Sequence, residues 1–404
     1  PELGYKETKT AAAVTEFLTE LGYDCRTGLA ITGVKTALKK KAEGLNVAIL
    51  GELDAVICHD SPTADPVTGA AHSCGHHIQL GVMLGTALGL KLAGIDDELA
   101  GNVTFMAVPA EEYVELEYRQ KLCADGKITY IGGKQELVKL GEFDDVDMAM
   151  MIHCDANNAE AAVALPISSN GFVGMTVQYV GKEAHAAAAP DKGINALNAA
   201  MIGLMGVHAM RETFRDEDVV RVHPIITKGG DLVNSVPADV RLETYIRAKT
   251  TKAMDDTCEK VMRAFKAGGD AIGAQTNIHT IPGYLPLVCC PQMNELFLAN
   301  SSDFIPAEKI KSGIHFGAST DMGDITHIMP GIHPFTGGMV GVHHTREFHA
   351  ADYVAACIVP AKAMAMTVID LLADGAEQGQ AIKQQFKPVM TKDEYLALLD
   401  KYFK

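Results

Sequence analysis

The run His72-Ser73-Cys74-Gly75-His76-His77 puts imidazoles on both sides of a thiol, with a glycine that lets the backbone bend tightly. If the segment is a loop, Cys74 and His76 can reach one metal ion or two adjacent ones. The spacing is not that of a zinc finger, and a buried thiol beside helix-capping histidines is the plainer alternative. Glu111-Glu112 follows an apolar run and Pro109-Ala110. Adjacent carboxylates at a strand end can divide labour, one binding a metal while the other faces a water as base. Taken alone, neighbouring glutamates are more often simply solvated. His153 stands just after Met150-Met151-Ile152, and His343-His344-Thr345 lies in a glycine-rich loop. Either alone is weak; paired histidines in such a loop are a moderate metal signal. Together, Cys74, His76, one of the glutamates and His153 each fall at or just past an expected strand. The set mixes nitrogen, sulfur and oxygen donors, which suits zinc or a neighbouring transition metal better than magnesium or calcium. Five such ligands are too many for one catalytic ion with an open position and would suit two.

These residues need elements to position them. Residues 8 to 22 read as an amphipathic helix with Ala12, Val14, Phe17 and Leu18 on its apolar face. Val47 to Gly51, Val103 to Val108 and Val146 to Ile152 are apolar without alternation, as strands buried on both faces are. A helix is expected over 78–93, between the first two. Strand, helix, strand repeats predict an α/β catalytic domain: a mixed, partly parallel sheet flanked by helices, with its site at the carboxyl ends of the strands. From about Gly171 the texture changes. Met175 to Val180 alternates, 194–212 reads as an Ala/Met-rich helix, Val219 to Ile226 and Val240 to Ala248 as strands, and 251–267 as a second helix. That order predicts an inserted ferredoxin-like α+β unit. The expected domains are therefore a discontinuous one, 1–170 with 285–404, and an inserted one, 171–284. A strong helix over 353–374 should rejoin the first.

Length and composition bound the rest. A chain of 404 residues is ample for two or three domains. With 35 basic and 51 acidic residues the formal charge is −16, which repels phosphate backbones and anionic lipid. No nucleic-acid or membrane partner is expected. Nine cysteines, an odd number with no staple-like spacing, read as reduced thiols in a cytoplasm. No basic-then-apolar signal segment opens the sequence at Pro1. Pro360 and Lys362 interrupt the apolar stretch Tyr353 to Leu372, which favours a buried helix over a membrane span.

The chain resembles the dinuclear metallopeptidase family of aminoacylases, carboxypeptidase G and bacterial amidohydrolases. The nearest branch cleaves N-acyl amino acids, aminobenzoyl-glutamate and certain dipeptides. The resemblance runs nearly end to end, through Pro1-Glu2-Leu3-Gly4, Gly51-Glu52-Leu53-Asp54-Ala55, Cys74-Gly75-His76 and Pro109-Ala110-Glu111-Glu112. It continues through Gly181-Lys182-Glu183-Ala184-His185-Ala186-Ala187, Gly229-Gly230 with Asn234 and Pro237, Ser319 to Gly323, and His344-Thr345. It implies metal-dependent hydrolysis of a small amide by a metal-activated water. Cys74, His76, Glu112, His153 and His344 would hold two divalent metal ions per chain, zinc or manganese, with cobalt or nickel also compatible. Glu111 would be the general base and Asp54 would orient a histidine or the loop. The inserted domain would be a lid and a homodimerisation domain. His185 would help stabilise the tetrahedral oxyanion, and Asn234 and Arg247 would hold the substrate carboxylate or carbonyl oxygen.

The chain also departs from the branch. His77 stands where Asp or Asn is common, and Gln79 where many relatives carry another histidine. The segment 113–131, beside the glutamate pair, is longer than in most relatives and could reshape the substrate pocket; 59–68 is a second candidate rim loop. Two other readings remain open at this point. One is a cysteine hydrolase with Cys74 as nucleophile and His76 as base, which a chelator would leave active. The other is a catalytically silent small-molecule-binding or assembly protein that kept the fold.

Overall fold

The computed structural model describes residues 1–38, 43–155 and 162–402. The apolar runs without alternation form the centre of a six-stranded sheet. Asn46–Glu52 is buried along its whole length. It pairs in parallel with Asn102–Val108 on one side and with Met148–Met150 on the other. Met148–Met150 pairs in parallel with Gly331–Ile332. On the far side Gly33–Ala37 and then Arg26–Leu29 add antiparallel strands, so the sheet is mixed. The expected third strand is shorter than the run Val146 to Ile152. His153–Cys154 instead pairs with Phe335–Thr336 in a separate four-stranded sheet.

Helices cover this sheet. Thr8–Glu20 buries Ala11, Val14 and Leu18. Ala12, expected on that face, is exposed, because the i, i+3, i+7 stripe begins one residue earlier. His76–Ala93 begins two residues before the expected helix and ends on Gly94, whose left-handed φ of 64° stops it. The C-terminal apolar stretch is a π-helical turn, Val354–Ile358, followed by Val359–Leu372. Val354–Leu372 is long and apolar enough to cross a membrane by composition. Here Met364, Val368, Leu371 and Leu372 are buried in the same core cluster as Val47, Ile49 and Met83.

The second unit is a four-stranded sheet in the order Arg221–Lys228, Asp239–Ala248, Gly171–Val180, Gln275–Pro282, antiparallel throughout. Helices Ala196–Ala209 and Thr251–Ile272 complete the expected ferredoxin-like order of strands and helices. Each starts on a side-chain cap, Asn195 accepting from the Asn198 N–H and Thr250 from the Ala253 N–H. Met175, Val177 and Tyr179 point into the core while Thr176 and Gln178 are half-buried, the alternation read from the sequence. The chain divides into Pro1–Ser168, Leu287–His315 and Asp324–Lys392 as one unit, and Ser169–Pro286, Phe316–Gly323 and Asp393–Lys404 as the other. Two short pieces thus cluster differently from the expected boundaries. In the C-terminal one, Tyr402 lies in the second core with Met254, Cys258 and Val261, and its carbonyl accepts from Thr280 Oγ1 at 3.1 Å.

Two helix glycines make opposite demands. A Cβ at Gly268 would stand 2.6 Å from the Gly203 nitrogen and 2.9 Å from its Cα, where the two helices cross. Gly89 is exposed in mid-helix with nothing within 4 Å of such an atom. Gly268→Ala should destabilise the protein by ~1–3 kcal/mol through overpacking. Gly89→Ala should stabilise it by up to ~1 kcal/mol. Urea unfolding of both variants checks the pair; equal shifts of one sign would contradict the packing described.

Candidate metal centre

The carboxyl ends of the central strands carry the site. Asp54, two residues past the Asn46–Glu52 strand, is fully buried. Its Oδ2 accepts from the Glu112 N–H at 2.8 Å. Its Oδ1 and carbonyl lie 3.2 and 2.9 Å from His76 Nδ1. With Nδ1 turned to Asp54, Nε2 is the His76 ring nitrogen that faces the other donors. The segment carrying Cys74 is not a loop throughout. Gly75, at φ 98°, turns the chain, and His76 is the first residue of the following helix. A Cβ at Gly75 would run into Cys154 Sγ, so this turn requires glycine.

Three clusters of donor atoms, each with all atoms within 4.8 Å of one another, form here: Cys74, His76 and His153; Cys74, Glu112 and His344; and Glu52, His76 and Glu111. Cys74 belongs to the first two. Cys74 Sγ is 3.6 Å from His153 Nε2, while His153 Nδ1 donates to the Cys154 carbonyl at 2.7 Å. His344 Nε2 is 3.3 Å from Glu112 Oε1, and the ring is about half exposed, at 53% of its side chain. Glu111 Oε2 lies 3.8 Å from His76 Nε2. Asp54 and the five expected ligands, with Glu111, are therefore one cluster within one unit.

His185, Asn234 and Arg247 belong to the other unit. His185 and Asn234 are exposed neighbours, the Ala186 N–H bonding the Asn234 carbonyl at 2.9 Å. His185 Nδ1 accepts from the Ala187 and Ala188 N–H groups at 3.2 and 3.1 Å. Arg247 is half-buried rather than a free surface charge. It donates to Ser319 Oγ at 2.7 Å and lies over the rings of Phe172 and Tyr245.

The electrostatics of the cluster suit cations. Burial pushes the Cys74 thiol well above its ordinary value, with Glu112 adding to the effect. That is the reverse of an activated cysteine nucleophile, which needs a lowered pKa. Burial also disfavours the charged form of His76, but Glu52 and Cys74 outweigh it and raise its pKa. For Glu112 burial opposes ionisation, yet the hydrogen bond from His344 brings the carboxyl down to about 2. His76 Nε2 is buried 3.1 Å from Glu52 Oε2 without hydrogen-bond geometry. A buried nitrogen so placed, among a thiol, imidazoles and carboxylates, fits a divalent metal ion.

Sequence reasoning did not assign the groups behind the ligands. Glu52 is fully buried, ion-paired to the equally buried Lys134 at 2.7 Å and bonded by Gln79 Nε2 at 2.8 Å. A glutamate ending a wholly apolar strand was the available signal; nothing in the sequence tied it to Lys134. Burial opposes the Glu52 charge, but Lys134, His76 and His153 hold its carboxyl below the usual range. Gln79 thus serves Glu52. His77 is in none of the three donor groups, and its ring lies near that of His72, centroids 4.9 Å apart. His333 is also buried, its ring 5.8 Å from that of His153.

Removing one partner of a buried ion pair leaves the other charge uncompensated. Lys134→Met should destabilise the protein by ~3–5 kcal/mol. Adding Glu52→Gln should recover most of the loss. Urea unfolding of the single and double variants decides it; a single variant as stable as the parent would mean that Glu52 is balanced by other groups.

Comparisons with known proteins bear on the family and the fold. Residues 167–271 match the peptidase dimerisation domain of the M20 family. The chain is 30% identical to the Xaa-Arg dipeptidase of Mus musculus over 423 aligned positions, covering 98% of this chain and 88% of that protein. Among solved structures, an aminohydrolase of methicillin-resistant Staphylococcus aureus superposes with a TM-score of 0.75 at 21% identity, over 92% of this chain and 93% of the other. A dinuclear metal-binding peptidase of the M20 family from Bacillus subtilis superposes at 0.70 with 19% identity, over 92% and 94%. The two structures share the fold. The dipeptidase, alike along nearly the whole chain, establishes that this protein belongs to the dinuclear metallopeptidase family of aminoacylases, carboxypeptidase G and bacterial amidohydrolases.

Proposed function

We propose that this protein hydrolyses the amide bond of a small N-acyl amino acid, an aminobenzoyl-glutamate-like compound or a dipeptide. The carrying observation is the pair of three-residue donor groups that share Cys74, with Glu111 beside them and in neither. Cys74, His76 and His153 would hold one cation, and Cys74, Glu112 and His344 the other. Divalent ions bound there, zinc or manganese by donor type, with cobalt or nickel compatible, would supply Lewis-acid polarisation of the amide carbonyl and a more acidic water.

The protein's own groups do the rest. Glu111 takes the proton of the attacking water and returns it to the leaving nitrogen. Asp54 fixes the His76 ring and the Glu112 backbone together. The two N–H bonds accepted by His185 Nδ1 fix the tautomer that carries its proton on Nε2, a donor suited to a developing oxyanion. Arg247, stacked and held by Ser319, suits a substrate carboxylate, and the exposed Asn234 adds a neutral donor. The expected domains take matching roles, the discontinuous one catalysis and the inserted one lid and dimerisation. The dimerisation-domain match supports a homodimer. The nine unpaired thiols support a cytoplasmic setting. The name of the mouse relative makes dipeptides ending in arginine the first substrates to try.

The test is an assay of N-acyl amino acids, aminobenzoyl-glutamate and dipeptides before and after chelation. Cleavage should disappear with the metal and return with zinc or manganese. On the best substrate Glu111→Gln should lower kcat by ~10²–10⁴-fold with metal content unchanged. Full activity in Glu111→Gln would remove it as base, and cleavage surviving complete metal removal would overturn the metal-dependent reading.

A further inference from the structure

The long segment after the glutamate pair contains a fully buried arginine. Arg119 sits in the helix Leu116–Ala124 at 0% exposure. Its hydrogen bonds go to backbone carbonyls. Nη1 donates to the Ala110 carbonyl at 3.3 Å and to the Ile131 carbonyl at 3.0 Å, and Nη2 donates to the Glu112 carbonyl. The guanidinium carbon lies 5.5 Å from the Tyr5 ring centroid and 5.9 Å from that of Tyr113. Burying a guanidinium is costly and persists only where its donors are well used. Here the two Nη groups are used while the buried Nε has no partner, and the Nη groups bracket Glu111, meeting the carbonyl before it and the carbonyl after the pair.

The bracketed loop needs holding. Ala110 has φ +54°, a left-handed conformation that costs free energy for a residue with a Cβ and survives only where its surroundings enforce it. The enforcement is complete on both flanks. The Ala110 N–H donates to the buried Glu7 at 2.8 Å, and its carbonyl also accepts from the Gly133 N–H at 3.2 Å. The Glu112 N–H goes to Asp54. Gly4 leaves room for Arg119: a Cβ there would press on Nη2 and stand 2.9 Å from Ala110 Cα.

We propose that Arg119 is a positioning residue that fixes Glu111 and Glu112 by clamping the backbone on either side of them, so that the segment 113–131 works as the buckle of the catalytic pair. The proposal rests on the reading of Glu111 as base and Glu112 as ligand. It makes a selective prediction, because only one of the two Cys74-sharing groups contains Glu112.

The experiment is calorimetric titration of zinc into metal-free parent, Arg119→Ala, Arg119→Lys and Gly4→Ala proteins, with kcat and KM on the best substrate. In Arg119→Ala, one metal should bind as in the parent while the other weakens about 10- to 100-fold. The kcat should fall about 100-fold with KM unchanged, and guanidinium ion at sub-denaturing concentration should restore part of it. Arg119→Lys, which keeps the charge but not the fork, should lie between. Gly4→Ala should show the same selective loss, and it carries the test if Arg119→Ala does not fold. Parent-like titrations and kcat in the variants, or equal weakening of both metals without guanidinium rescue, would overturn the clamp. Those results with a parent that binds two metals and loses turnover in Glu111→Gln would leave the proposed function standing; a parent lacking both would remove that reading first.

Discussion

One buried carboxylate ties the site together. Asp54 accepts from the His76 ring with one oxygen and from the Glu112 backbone with the other. It thereby links the start of the helix His76–Ala93 to the loop after the strand Asn102–Val108. The two strands lie side by side and parallel, so their carboxyl ends deliver these segments to the same place. Without that junction the imidazole could turn to another rotamer and the glutamate pair would be attached to the sheet at one end only. A short side chain at a parallel strand end is the physical reason that residues 74, 76, 111 and 112 converge.

The second constraint is charge. The donors sit in a region where burial opposes every ionised group, and the structure answers with opposed pairs. Lys134 meets Glu52 and His344 meets Glu112. The Lys134–Glu52 pair lies in a low-dielectric interior, where the two charges interact strongly and a missing partner is costly. At Cys74, burial and Glu112 outweigh His76, and its pKa stays high. A thiol shared by two donor clusters and held neutral by burial is one that a metal ion would ionise.

Much of this was legible in the sequence. The uninterrupted apolar runs became the central strands because both faces of a parallel sheet are covered, and the alternation after Gly171 became a half-exposed strand. Glu112 and His153 converge because each comes just after such a run, and Cys74 and His76 because they stand at the turn into the helix that follows the first strand. What escaped was governed by contacts between distant segments. The helix face at Ala11 rather than Ala12 depends on how the helix rolls against the sheet. The separate pairing of His153–Cys154 depends on Phe335–Thr336, far along the chain. Lys134 and Arg119 look in sequence like ordinary surface cations, and only tertiary packing shows one neutralising Glu52 and the other bracketing Glu111. The long segment 113–131 was visible as a departure, but its helix and its buried arginine were not.

The central requirement of the site is that Cys74 serve both donor clusters at once. The most direct measurement is metal stoichiometry by elemental analysis of parent and Cys74→Ala protein, purified without chelator and dialysed against a common zinc concentration. Two ions per parent chain, and loss of both from Cys74→Ala in a protein with unchanged circular dichroism, is the predicted result. A Cys74→Ala protein that keeps two ions would contradict it.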